Sequence, residues 1–122
     1  MMRICIADSQ SRVRFGLRVL LEQQPGWKVI GEAADTQELL QQVCSNLPDL
    51  VLFDWELPGI PAAELLTRLR QLCPALRVIP MSGRHELRRA ALEAGADAFA
   101  SKTESPERLV ALIRELHPDI SV

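Results

Sequence analysis

Four polar residues stand directly behind apolar, strand-like segments that are far apart in the sequence. They are Asp8 after RICIA, Asp54 after LVLF, Ser82 after LRVIPM, and Lys102 two residues after DAFA. The reactive crevice of an open parallel sheet lies beyond the carboxyl ends of its strands, so these side chains are expected to meet at one edge. Two carboxylates, a hydroxyl and an ammonium could supply a nucleophile and the groups that stabilise charge developing on a substrate.

Asp54 is the most informative of these residues. It follows four apolar residues and precedes the Pro58-Gly59 break. An ionised carboxylate withdrawn from water without a partner costs several kcal/mol or more. We therefore expect Asp54 to reach the surface at its strand end and to be held by a cation.

The elements that must position these residues follow one another in a regular order. Helical spacing of apolar residues follows each strand-like segment, and Pro25-Gly26, Cys73-Pro74 and Gly95 end three of the helices. Asp35 with Glu38 predicts a capped helix start, and Ser105-Pro106 predicts the start of the last helix. The five predicted strands are 3–7, 27–33, 50–53, 76–81 and 97–100.

This alternation predicts an α/β fold, a single doubly wound sheet of five parallel strands with helices on both faces. The chain has 122 residues, 48% of them hydrophobic, which fits one globular domain over 1–122 with a short tail at 118–122. Pro80 falls inside the fourth strand, where it removes one ladder donor.

Composition excludes several classes of function. The net charge of −2 lacks the basic excess of a nucleic-acid surface, so DNA contact by this chain alone is not expected. No membrane span or signal peptide is evident, which predicts a cytoplasmic protein. Three widely spaced cysteines without a CxxC pair indicate buried free thiols.

The motifs IADSQ, LVLFDWELPG, VIPMSG and AFASK resemble, in order and spacing, those of response-regulator receiver domains of two-component signalling. The resemblance covers about residues 3 to 117 and implies a flavodoxin-like fold with strand order 2-1-3-4-5. It also implies that Asp54 accepts a phosphoryl group from a sensor histidine kinase or a phosphotransfer protein. The chain would then be no conventional enzyme, although it promotes its own phosphotransfer.

The same resemblance implies roles for the surrounding residues. Ser82 and Phe99 would be the switch residues, and Lys102 would pair with the phosphoryl group. The face formed by the fourth helix, fifth strand and fifth helix would change and engage an output protein or output domain. Asp8, Asp54 and the backbone carbonyl of Glu56 would bind Mg²⁺, with the Glu56 side chain as a further candidate ligand.

Ser9 departs from the family, which usually has a second acid at this position. A neutral hydroxyl is a poor ligand for a hard cation, so we expect only weak Mg²⁺ binding and regard Ser9 as a doubtful ligand. The alternative function is a receiver-like interaction module that no longer cycles phosphate. Glu56 and Arg84 flank the expected pocket with opposite charges, and we hypothesise that they pair across its mouth.

Purely structural roles remain open for each of these residues. Asp54 could be a turn former, Asp8 and Ser82 helix caps, and Phe99 a core residue. The basic run that begins at Arg84 is most simply a solvated helix face. The sequence does not identify the kinase or the output target, and it leaves a homodimer open.

Overall fold

The computed structural model describes residues 1–116 and contains five parallel strands in the order β2-β1-β3-β4-β5. The predicted doubly wound α/β fold and its strand order are confirmed. The elements are β1 Met2–Ala7, α1 Ser11–Glu22, β2 Trp27–Ala33, α2 Thr36–Asn46, β3 Leu50–Asp54, α3 Ala62–Leu72, β4 Arg77–Ser82, a 3-10 turn His85–Leu87, α4 Arg88–Glu93, β5 Ala100–Ser101 and α5 Pro106–Leu116.

Alternation along the buried strands divides the core into two clusters, one on each face of the sheet. Ile4 and Leu52 face α1 and α5, where Leu17 and Leu109 pack against them. The neighbouring strand residues point the opposite way and meet α2 and α3, as Cys5, Val51 and Phe53 do with Leu39 and Leu65. Because successive side chains of a strand point to opposite faces, nearly continuous apolar strands can fill both clusters.

Pro80 lies in β4 without breaking it, and its position explains the shortness of β5. The carbonyl of Met81 accepts from Trp55 on the β3 side, whereas those of Val78 and Ser82 accept from Asp97 and Lys102 on the other side. By this alternation, the donor that Pro80 lacks would face β5. β5 pairs with β4 only at Met81 and Ser82, so the predicted fifth strand at 97–100 is wrong in its bounds.

Asp35 begins α2 as predicted, because its Oδ1 accepts the Glu38 N–H at 2.8 Å and Glu38 Oε1 accepts the Ala34 N–H at 2.7 Å. The expectation of buried thiols holds for Cys5 but is wrong for Cys44, which is exposed on α2. Within 1–116, no helix is long and apolar enough to cross a membrane. The tail predicted at 118–122 lies outside the described residues.

Thr36 holds the loop that follows Asp54 against the start of α2. Its N–H donates to the Pro58 carbonyl at 2.9 Å, and its hydroxyl accepts the Ile60 N–H at 3.1 Å. Gly59 lies between these contacts with a φ of +124°, and a Cβ there would collide with Thr36 Oγ1. The close approach and the backbone angle therefore both require glycine at residue 59.

We expect Gly59→Ala to lower the free energy of unfolding by on the order of 1 to 3 kcal/mol, because it forces both strain and a clash. Gly83→Ala is the matched control, since nothing lies within 4 Å of a Cβ at Gly83. Urea denaturation of both variants measures the difference. Equal stability of the two variants would contradict the Thr36 clamp.

Candidate functional site

Asp8 is a buried carboxylate one residue beyond the end of β1. Its residue is 1% exposed, and its N–H donates to the Ala33 carbonyl at 3.0 Å. The side chain is bound on both oxygens: Oδ1 accepts the Gln10 N–H at 2.9 Å and Oδ2 accepts from Lys102 Nζ at 2.6 Å. A carboxylate this deep requires such partners to stay charged.

Lys102 connects the two acids of the site. Its Nζ lies 2.6 Å from Asp8 Oδ2 and 3.5 Å from Asp54 Oδ2, and its side chain is 29% exposed. Burial lowers the pKa of Lys102, but the hydrogen bond to Asp8 and the charges of Asp54 and Asp8 outweigh it, so that the net pKa is raised. The ammonium therefore stays protonated at neutral pH and offsets part of the negative charge of the pocket.

Asp54 ends β3 and is partly exposed at the carboxyl edge of the sheet, as its strand-end position predicts. Its side chain is 17% exposed, and Oδ1 accepts the Glu56 N–H at 3.1 Å. The following residue, Trp55, is fixed to β4 by its N–H, which donates to the Met81 carbonyl at 2.8 Å. Asp54 is thus partly exposed, while Asp8, which shares the Lys102 ammonium with it, is buried.

Ser82 closes the same edge at the end of β4. It is 1% exposed, and its hydroxyl oxygen accepts the Arg84 N–H at 3.0 Å. Its carbonyl accepts the Lys102 N–H at 2.8 Å, which joins the two loops that carry these residues. The local turn at Arg84 is therefore one role of the Ser82 hydroxyl, consistent with the structural alternative left open by the sequence.

Phe99 is buried, with 4% of its surface exposed. A cavity of about 60 Å³ lies beside it, between β5 and α5, and Arg88, Ser101 and Leu112 contribute to the lining. The side chain is thus a core residue that borders an unfilled space on the helix-four side of the fold. Both readings of Phe99, as core and as a movable aromatic, are compatible with this position.

The oxygen donors near Asp54 are few. Ser9 is exposed and contributes no carboxylate, and no group of three or more His, Cys, Asp and Glu side chains within 1–116 gathers as a metal site. The remaining donors are the Asp8 and Asp54 carboxylates and the Glu56 backbone. This set fits Mg²⁺, which keeps several waters and often binds through only one or two carboxylates.

The hypothesised pair of Glu56 with Arg84 does not form in the structure. Arg84 Nε lies 3.2 Å from Glu86 Oε1, and both side chains are more than half exposed. Glu86 is only two residues away, on the 3-10 turn that Arg84 precedes. Pairing with Glu86 therefore costs less conformational entropy than pairing with Glu56 on another loop. The two pocket-flanking residues are therefore present at the site but unpaired with each other.

Sequence reasoning missed Arg14, which reaches the site from α1. Its guanidinium donates to the Asp8 carbonyl at 2.6 Å and to Glu32 Oε1 at 3.1 Å. Glu32 lies on β2, so Arg14 links α1 to β2 and to the residue that follows β1. An arginine on an amphipathic helix carries no sequence signal of such a partner, because its spacing is that of an ordinary solvated side chain.

Comparison with known proteins agrees with this geometry. A family model described as the response regulator receiver domain matches residues 4–114. The transcriptional activator protein ExaE of Pseudomonas putida is 39% identical over 117 residues, which are 94% of this chain and 55% of ExaE. The response regulator UvrY of Escherichia coli is 29% identical over 119 residues, 96% of this chain and 55% of UvrY.

Solved structures show the same fold. A LuxR-family two-component response regulator from Aurantimonas sp. SI85-9A1 superposes with a TM-score of 0.88 at 33% identity, over 95% of this chain and 84% of that one. A CheY-like receiver domain protein from Methanospirillum hungatei JF-1 gives 0.86 at 30% identity, over 98% and 96%. The chain spans about half the length of the curated relatives ExaE and UvrY. The match over nearly all of its length shows that the chain belongs to the response regulator receiver domain family.

Proposed function

We propose that this chain accepts a phosphoryl group on Asp54 from a sensor histidine kinase or a phosphotransfer protein. The observation that carries the proposal is the shared ammonium of Lys102, 2.6 Å from buried Asp8 and 3.5 Å from surface Asp54. One acid is accessible to a macromolecular donor, while the second acid and the lysine lie behind it. Both the charge around Asp54 and its partial exposure therefore support a role as phosphoryl acceptor.

In the proposed transfer the Asp54 carboxylate is the nucleophile. A carboxylate oxygen of Asp54 attacks phosphorus in line, the new O–P bond forms as the N–P bond to the donor histidine breaks, and the imidazole leaves with the bonding electron pair. The Glu56 N–H holds Oδ1 of the nucleophile in place. Lys102 contributes positive charge as negative charge spreads over the phosphoryl oxygens.

Mg²⁺ is the cofactor that this donor set would hold, through Asp8, Asp54 and the Glu56 carbonyl, with the Glu56 side chain as a candidate. When bound, the ion would neutralise charge on the transferring phosphoryl oxygens. Ser9 makes the binding weak, because Mg²⁺ prefers carboxylate, carbonyl and water oxygens to a neutral hydroxyl. Asp8 must then accept both the ion and the contact with Lys102.

Phosphorylation of Asp54 would add a charge of about −1.5 to −2, which would change the conformation of the loop after β4 and of β5. Ser82 lies at the start of that loop, and its carbonyl already binds the Lys102 N–H. Phe99 lines the small cavity between β5 and α5, on the face that would change. We propose that α4, β5 and α5 form the face that an output protein or an attached output domain detects.

A second function is supported by one observation. Ser9 is exposed and leaves the site with two carboxylates, which favours an interaction module that no longer cycles phosphate. The Asp54–Lys102 contact opposes it. A cytoplasmic location and the absence of nucleic-acid contact by this domain alone stay predictions.

We expect Asp54→Asn to abolish phosphoryl uptake without loss of the fold, because its side chain lies at a strand end and not in the core. Intact mass after incubation with phosphoramidate and Mg²⁺ should show one added phosphoryl group in the wild type and none in the variant. Glu86→Gln is the matched control, an exposed carboxylate on a nearby loop that should label like the wild type. Undiminished labelling of Asp54→Asn would refute the acceptor assignment.

We expect Lys102→Met to lower the free energy of unfolding by on the order of 1 to 3 kcal/mol, because buried Asp8 loses its cation. Lys28→Met, at an exposed lysine of β2, is the control and should change little. The raised pKa of Lys102 means that its stabilisation is fully present below the ordinary value of 10.5 and is lost as the pH rises through the higher folded value. Urea denaturation should therefore give a difference from wild type that stays constant from neutral pH to 10.5 and shrinks above it. A difference that fades near neutral pH would contradict the ion pair.

We expect Ser9→Asp to tighten Mg²⁺ binding about ten- to a hundred-fold, because one direct carboxylate is worth on the order of 1 to 3 kcal/mol. Trp55, adjacent to Asp54, reports the titration by fluorescence once Trp27 is replaced by Phe. Ser11→Asp is the control, with the same charge two residues away at the start of α1. The rate of phosphoryl uptake at fixed Mg²⁺ should rise with the affinity. Equal affinity in Ser9→Asp and the parent would show that residue 9 is not at the metal position.

A further inference from the structure

The residue that carries this inference is Arg14, which holds the backbone of Asp8 from outside the pocket. Arg14 Nη1 donates to the Asp8 carbonyl at 2.6 Å, and its Nε donates to Glu32 Oε1 at 3.1 Å. The side chain is 19% exposed, which is low for an arginine on a surface helix. Its two contacts use the fork of the guanidinium to join α1, β2 and the end of β1.

Asp8 needs such a contact because the neighbouring strand binds its N–H but not its carbonyl. The pairing of β1 with both β2 and β3 ends at Ala7, so the Asp8 carbonyl lies beyond the ladder. Its N–H is still bound by the Ala33 carbonyl, and Arg14 binds its carbonyl. With the planar peptide groups on both sides of the Cα anchored, the direction of the Asp8 side chain toward Lys102 is set.

The orientation of the Asp8 side chain matters more in this site, which has two acids, than it would in a site with three. Ser9 supplies no carboxylate, so Asp8 alone lies behind Asp54 as a buried acid. Lys102 directly follows the two-residue strand β5, which pairs with β4 at Met81 and Ser82 alone. The more rigid half of the Asp8–Lys102 contact is thus the half that Arg14 supports.

We propose that Arg14 is a positioning residue for Asp8, and that it acts through the Asp8 main chain on both the Lys102 contact and the affinity of the pocket for Mg²⁺. The proposal deepens the proposed function and rests on it for the Mg²⁺ titration, whereas the Lys102 contact is tested without metal. Glu32 orients the Arg14 guanidinium through its Oε1 atom. Its other oxygen, Oε2, binds Arg18.

Arg18 provides a matched control one turn along α1. It donates to Glu32 Oε2 at 2.8 Å and lies 3.6 Å from Glu22 Oε2, so it shares the Glu32 partner. Among the hydrogen bonds and ion pairs of residues 1–116, none joins Arg18 to Asp8. A variant of Arg18 therefore removes a cation and a Glu32 contact without touching the carbonyl of Asp8.

The experiment compares Arg14→Met, Arg14→Lys and Arg18→Met in the full chain. Mg²⁺ affinity is measured by titration while the Trp55 indole N–H resonance is followed by NMR. The Lys102 Nζ resonance is recorded separately, without metal. Urea denaturation gives the stability of each variant. We expect Arg14→Met to weaken Mg²⁺ binding about tenfold, as loss of a supporting contact to a ligand does, and to shift the Lys102 resonance. Arg18→Met should leave both unchanged. Arg14→Lys should behave like Arg14→Met, because an ammonium cannot make both forked contacts.

Three results would overturn the proposal. The first is an unchanged Lys102 resonance in Arg14→Met. The second is that Arg14→Met and Arg18→Met weaken Mg²⁺ binding equally, in proportion to their loss of stability. The third is wild-type Mg²⁺ affinity and Lys102 resonance in Arg14→Lys, which would assign the effect to charge alone. Failure of the proposed function is a separate result. It is the absence of phosphoryl uptake by the wild type, and the Lys102 resonance still decides the positioning role in that case.

Discussion

The contact between Asp8 and Lys102 is the constraint on which the rest of the site depends. It joins the end of the first strand to the residue after the fifth, 94 positions apart, and it neutralises a carboxylate that is 1% exposed. The sheet order places β1 between β2 and β3, so this acid stands near the middle of the carboxyl edge. The ammonium that binds it also lies 3.5 Å from Asp54 Oδ2. The stability of buried Asp8 and the electrostatic environment of Asp54 therefore depend on the same lysine.

Ser9 changes the balance of that arrangement. One ammonium between two carboxylates leaves a single net negative charge, where a third acid would leave two. In the proposed transfer, less repulsion would then oppose the approach of a dianionic phosphoryl group, while less attraction would hold a divalent cation. Stabilisation of the phosphoryl oxygens would then depend less on an ion and more on the fixed charge of Lys102, so the position of Asp8, which binds Lys102, would matter more.

Local sequence patterns were sufficient for the layers of the fold and for the residues at the strand ends, whereas the strand order came from the resemblance to receiver domains. Alternating apolar strands and helical spacing define the layers, and Asp8, Asp54, Ser82 and Lys102 meet because parallel strands share one carboxyl edge. The bounds of β5 and the local pairing of Arg84 with Glu86 could not be predicted from such patterns. They depend on which of several possible partners each backbone group or side chain binds in the folded chain. The contact of Arg14 with the Asp8 carbonyl was hidden for the same reason.

Pro80 has a consequence for the rates at which parts of the sheet open. Because it offers no N–H toward β5, the fifth strand is attached by a short ladder at Met81 and Ser82, whereas β1 and β3 pair over four residues. Local openings that cost little free energy begin where few backbone hydrogen bonds must break. The backbone from Ala100 to Lys102 can thus open locally while the pairing of β1, which ends one residue before Asp8, stays closed.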